Sequence, residues 1–93
     1  MYLVVRTWGN AGALADAIEQ RQQEVVDIIG GVPGFVAYYA TRSGETLTTV
    51  TVTEDKEGSR ESTKRAGEWV TKNLGGASVG APSIVEGEVS VHI

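Results

Sequence analysis

The run Leu47-Thr48-Thr49-Val50-Thr51-Val52-Thr53 constrains this chain more than any other segment. Every residue after Leu47 is β-branched, and such side chains lose rotamer freedom on a helix but fit a pleated surface. The segment reads as a strand, and a strand needs partners. The glycine-centred Ser43-Gly44-Glu45 precedes it, with Phe35-Val36-Ala37-Tyr38-Tyr39-Ala40-Thr41 before that, so the two runs form a hairpin. A lone hairpin is marginal in water, which requires further strands. Tyr2 to Trp8, ending at Gly9-Asn10, supplies one. Ile84 to Ile93 supplies another, with Val85, Val89 and Val91 alternating against Glu86, Glu88, Ser90 and His92.

Two segments carry helical periodicity instead. From Ala13 to Ile29, Leu14, Ile18, Val25 and Ile28 recur at helical spacing, and Gly30-Gly31 stops the helix. From Asp55 to Leu74, Glu61 with Arg65 and Glu68 with Lys72 stand four apart in acid-first order, over a narrow apolar face of Ala66, Trp69, Val70 and Leu74. The first half of this helix is poor in apolar residues and is expected near the surface. Gly75-Gly76 closes it, and a flexible connection leads to the last strand. The order β-α-β-β-α-β with right-handed crossovers predicts an α+β, ferredoxin-like domain over residues 1–93: a four-stranded antiparallel sheet with both helices on one face.

Composition excludes several functions. Eight Lys and Arg against twelve Asp and Glu give a net charge of −4, which disfavours polyanionic partners such as nucleic acid and anionic membrane. The absence of cysteine removes disulfides, thiolate metal ligands and a cysteine nucleophile. With no basic start followed by an apolar run, the chain is expected to be soluble, unprocessed and cytoplasmic.

Sorting strand residues by parity gives an apolar set, Leu3, Val5, Val36, Tyr38, Ala40, Val50, Val52, Val85, Val89 and Val91, which is expected to face the helices. The other set contains Arg6, Trp8, Phe35, Tyr39, Thr49, Thr51 and His92. It is too aromatic for a solvated sheet face and too polar for a sealed core, so it suits a second copy packed across a cavity.

Val32-Pro33-Gly34-Phe35-Val36-Ala37-Tyr38-Tyr39, the acidic run Thr53-Glu54-Asp55-Lys56-Glu57-Gly58 and the helix end Ala66-Gly67-Glu68-Trp69-Val70 resemble the dimeric α/β-barrel superfamily, specifically antibiotic-biosynthesis-monooxygenase-like proteins. The resemblance implies a homodimer with a pocket in each subunit, in a group that includes cofactor-free oxygenases, haem-degrading enzymes and members without known activity. Haem degraders carry a Trp at the end of the third strand and a His after the second helix. This chain has Thr53-Glu54 and Gly75-Gly76-Ala77 there, which disfavours haem degradation.

Candidate site residues follow. His92, the only histidine, is the first choice for acid–base work, against an edge or interface role. Arg6 is placed to hold a carboxylate or phenolate, or else to pair with Glu86 or Glu88 across the sheet. Trp8 and Tyr39 would stack an aromatic ligand or pack a dimer interface. Asn10 is expected in a turn and Trp69 in the core. No metal site and no cofactor is expected. The function implied is a homodimer binding a small, partly aromatic molecule, either as a cofactor-independent monooxygenase or as a non-catalytic ligand-binding or stress-related module.

Overall fold

A computed structural model describes residues 1–74 and 80–93. The elements are β1 (Tyr2–Trp8), α1 (Gly12–Gln20), α2 (Gln22–Gly30), β2 (Phe35–Ser43), β3 (Thr46–Thr53), α3 (Lys56–Leu74) and β4 (Ser83–Glu88). One antiparallel sheet runs β2-β3-β1-β4. The β-branched run is thus a central strand, paired with β1 from Tyr2↔Thr53 to Trp8↔Leu47 and with β2 on its other side. The fold is α+β and ferredoxin-like, and Asn10 sits in the turn after β1 at φ 49°, a left-handed conformation that asparagine tolerates. The main core lies between helices and sheet, where Leu14, Ala15, Val25, Ile29 and Trp69 meet Trp8 and Leu47.

The α3 start is built by side-chain capping. Asp55 Oδ1 accepts the Gly58 N–H at 2.9 Å, and the Asp55 carbonyl accepts the Thr53 hydroxyl at 2.7 Å. Asp55→Ala is expected to cost about 1 kcal/mol of unfolding free energy, measured by denaturant titration, the usual worth of an N-cap.

Four expectations are corrected. The helix over Ala13–Ile29 is two helices, broken at Arg21, where φ is −122° and ψ 39°. Between Ile18 and Val25 every residue is polar, so a break there exposes nothing that needed burial. The last strand ends at Glu88 rather than Ile93, although the Val89 N–H still reaches the Met1 carbonyl at 2.8 Å. The first half of α3 lies at the surface only along Lys56, Glu57, Arg60 and Lys64, while its Gly58, Ser59 and Ser62 face is buried, because small residues let the helix approach the sheet closely without apolar bulk. The fourth correction reverses the sheet faces of β1, β3 and β4, while Tyr38 on β2 lies on the helix side as expected. Tyr2, Val4, Arg6, Trp8, Leu47, Thr49, Thr51 and Thr53 point under the helices and are buried. Leu3, Val5, Val50, Val52 and Val85 point to the uncovered side.

The reversal has a physical cause. Hydroxyls of Ser62 and Thr63 on α3 and Thr51 on β3 satisfy the buried Arg6 internally, so the helix-covered face need not be the more apolar one. A register shift between Phe35 and Ala37 also brings Phe35 and Tyr38 onto the same face, opposite Thr53 and Thr51. The expected helix stop at Gly75-Gly76 lies outside the described residues.

Candidate ligand-binding site

β1 carries Arg6 to the middle of the sheet under α3, where only 1% of it is exposed. Its guanidinium is cradled by hydroxyls. Nη2 donates to Ser62 Oγ at 2.7 Å and Thr63 Oγ1 at 2.8 Å, Nη1 to Thr51 Oγ1 at 3.1 Å, and Nε to Thr63 Oγ1 at 3.2 Å. Ser62 donates its own hydroxyl hydrogen bond to the Ser59 carbonyl at 2.6 Å, which leaves its oxygen lone pairs free to accept. The pairing with Glu86 or Glu88 does not form. The Glu86 carboxylate instead accepts the Tyr2 hydroxyl at 2.9 Å, which holds that phenol above its ordinary pKa. Burial lowers the Arg6 pKa, with Tyr38 and Glu86 opposing that shift.

Arg6 forms part of the wall of a cleft of about 260 Å³ between α3 and the β1–β4 side of the sheet. Trp8, Ala66, Val70 and Ile84 make it largely apolar, and Gly67 and Gly80 stand at its margin. Beyond Trp8, Ala66 and Val70, which both spaces share, lies a cavity of about 30 Å³ that includes Tyr38, Thr49 and Trp69 in its lining. Thr49 Oγ1 and Trp69 Nε1 are buried there without hydrogen-bond partners. The Tyr38 hydroxyl is near enough to Thr49 to be felt in its titration, but the geometry falls short of a hydrogen bond.

Burial raises the Tyr38 phenol above its ordinary 10.0, and the positive charge of Arg6 partly offsets this. The native state therefore prefers the protonated phenol. That contribution is complete below the ordinary pKa and is lost as pH rises through the native one. Urea midpoints at about pH 8 and about pH 11 are expected to fall more for the unmodified chain than for Tyr38→Phe. Equal falls would refute the burial of this phenol.

Of the four residues expected to line one pocket, the structure brings together Arg6 and Trp8. Tyr39 lies on the opposite sheet face, 66% exposed, because it pairs with Val50 rather than Thr51. His92 is exposed beyond the end of β4. Sequence reasoning missed Thr51, Ser62, Thr63 and Tyr38. The available signal was the Ser59, Ser62, Thr63 series on a helix face otherwise short of apolar residues, opposite a strand arginine. Among the described residues no group of three or more Asp, Glu or His is placed to hold a metal ion, and no helix is long and apolar enough to cross a membrane.

No protein-family model and no curated protein sequence matches the chain. Solved structures do. SnoaB, a cofactor-independent oxygenase from Streptomyces nogalater, superposes with a TM-score of 0.69 at 15% identity over 99% of this chain and 95% of its own. A monooxygenase from ActVA-Orf6 of Streptomyces coelicolor, in complex with nanaomycin D, gives 0.71 at 17% identity over 99% and 89%. The heme-degrader MhuD of Mycobacterium tuberculosis, with two hemes bound, gives 0.68 at 15% over 100% and 99%. A dimeric ferredoxin-like protein from an uncultured marine organism gives 0.71 at 9% over 99% and 96%. The chain spans 62% of the length of MupZ from Pseudomonas fluorescens, which it also matches. From end to end, this chain has the ferredoxin-like fold shared by these antibiotic-biosynthesis-type monooxygenases and the heme-degrader.

Proposed function

We propose that the chain is a homodimeric protein that binds a small, partly aromatic molecule in the cleft between α3 and the sheet. The observation that carries this reading is the cleft itself: about 260 Å³, walled by Trp8, Ala66, Val70 and Ile84, with the buried Arg6 as its polar element. An apolar space with one fixed polar group is what small-molecule recognition requires. Arg6 and Trp8 are the proposed ligand contacts. Tyr39 is assigned to the dimer face, and His92 stays a candidate only through the exposed tail that carries it.

A second reading, cofactor-independent monooxygenation, draws support from the folds of SnoaB and ActVA-Orf6. An electron-rich phenolate can itself reduce oxygen, and the protein's share is then to position it and exclude water. Among the described residues the wall of the cleft offers Arg6, whose positive charge would favour the ionised form of a phenolic substrate. A thermal-shift screen of aromatic acids, phenols, quinols and anthrones tests the binding reading. A ligand that binds only the native state raises the midpoint. The expected result is a rise of several degrees with at least one class, and oxygen uptake with that compound separates enzyme from binding module. No rise with any class at millimolar concentration would sink the binding reading.

A further inference from the structure

We propose that the ligand of the cleft is an anion, a flat apolar molecule bearing one carboxylate or phenolate oxygen, and that Arg6 receives that charge. The inference rests on the pocket reading above and adds the ligand's charge to it.

Arg6 is a full positive charge in the interior of a chain whose net charge is −4, yet every hydrogen-bond partner of its side chain among the described residues is a neutral hydroxyl. Among the described residues, none of the ion pairs within 4.0 Å involves it. A buried cation without a counter-charge is costly, and buried charges are ordinarily paired. The Glu86 carboxylate acts on Arg6 through space only, forming no ion pair with it and accepting the Tyr2 hydroxyl instead. The hydroxyl cradle fixes the plane of the guanidinium but brings no anion into contact with it. Five N–H groups make four bonds to Thr51, Ser62 and Thr63, so one N–H on Nη1 has no partner among the described residues. Arginine stays protonated at any physiological pH, so the charge persists until an anion meets it.

The mouth of the cleft gives a second, independent observation. Gly67 lies well inside α3, where alanine would be the better helix former, and a Cβ built there meets nothing within 4 Å. Gly67 is exposed and lines both this cleft and a neighbouring surface depression, so a longer side chain has room there beside the cleft. The remaining wall, Trp8, Ala66, Val70 and Ile84, suits an apolar ring system.

Calorimetric titration with 2-naphthoate and 2-naphthamide, which share a ring system and differ in charge, is the test, with 4-nitrophenol as the phenolate probe. The unmodified protein is expected to bind naphthoate at least tenfold more tightly than naphthamide. Arg6→Met should erase that preference while still binding the amide, and Arg6→Lys should keep a reduced one. Gly67→Leu, which fills the mouth and favours the helix, should weaken both ligands at least tenfold with circular dichroism unchanged. Tighter binding of the coloured nitrophenolate than of naphthoate would select phenolate over carboxylate within the proposal. Equal affinity for naphthoate and naphthamide, both weakened by Gly67→Leu, would overturn the anion inference and leave the pocket standing. Binding that ignores Gly67→Leu would overturn the pocket itself.

Discussion

Gly58→Ala is expected to lower the melting midpoint by about 10 °C, while Gly67→Ala in the same helix raises it by a few degrees. Away from constraints, glycine to alanine in a helix gains roughly 0.5–1 kcal/mol through backbone entropy and exposure. Gly67 has room for the added methyl. Gly58 does not: its Cβ would stand 2.6 Å from the Pro33 carbonyl oxygen and 3.1 Å from Thr53 Cβ. Both obstacles belong to ordered structure, one of them backbone, so relief requires α3 to lift from the sheet. Overpacking of this kind costs about 1–3 kcal/mol, more than the helix gains. The lift would also carry Ser62 and Thr63 away from Arg6, so anion binding should weaken along with stability. Scanning calorimetry of the two variants beside the parent is the measurement. A Gly58→Ala variant melting at or above the parent would refute the close approach of α3.

Val50→Lys is expected to convert the proposed dimer into a folded monomer. Tyr39, Val50, Val5 and Val85 form a row across all four strands on the uncovered face, and Leu3 and Val52 extend it. Tyr39 and Val85 are 66% and 72% exposed, and Val50 at the centre is half-buried. A continuous apolar face of this kind marks an interaction surface, and a self-complementary patch closes most simply as a two-fold dimer. A lysine at its centre would bury an unpaired charge in the interface, yet in the monomer the side chain simply meets water. Light scattering at micromolar concentration should give about twice the 9.8 kDa chain mass for the parent and the single-chain mass for the variant, with unchanged circular dichroism. A parent that scatters as one chain would remove the dimer.

Much of the fold was legible because its signals are local. The β-branched run of β3, the hairpin at Gly44 and the charge ladder of α3 each settle their own conformation within a few residues. The α1–α2 break was not legible, since the polar stretch from Glu19 to Glu24 is compatible with either a continuous or an interrupted helix until packing chooses. Half of the site was legible: a strand arginine and its neighbouring tryptophan stand out in any reading. Tyr38 lies under the helices as its parity set was expected to, but its part in the site was not legible, because the β2–β3 pairing that sets it opposite Thr51 is fixed only when the strands dock.

The sequence by itself determined the order of elements, the antiparallel sheet and the two parities of side chain along each strand, because propensity and periodicity act between near neighbours. Tertiary structure alone decided which parity lies under the helices. Apolar content pointed the wrong way, since Arg6 finds the hydroxyls of Ser62 and Thr63 only when they arrive on a helix more than fifty residues along the chain. Burial depends on partners brought from far away, so the same alternation that made the strands recognisable could not say which side was the inside.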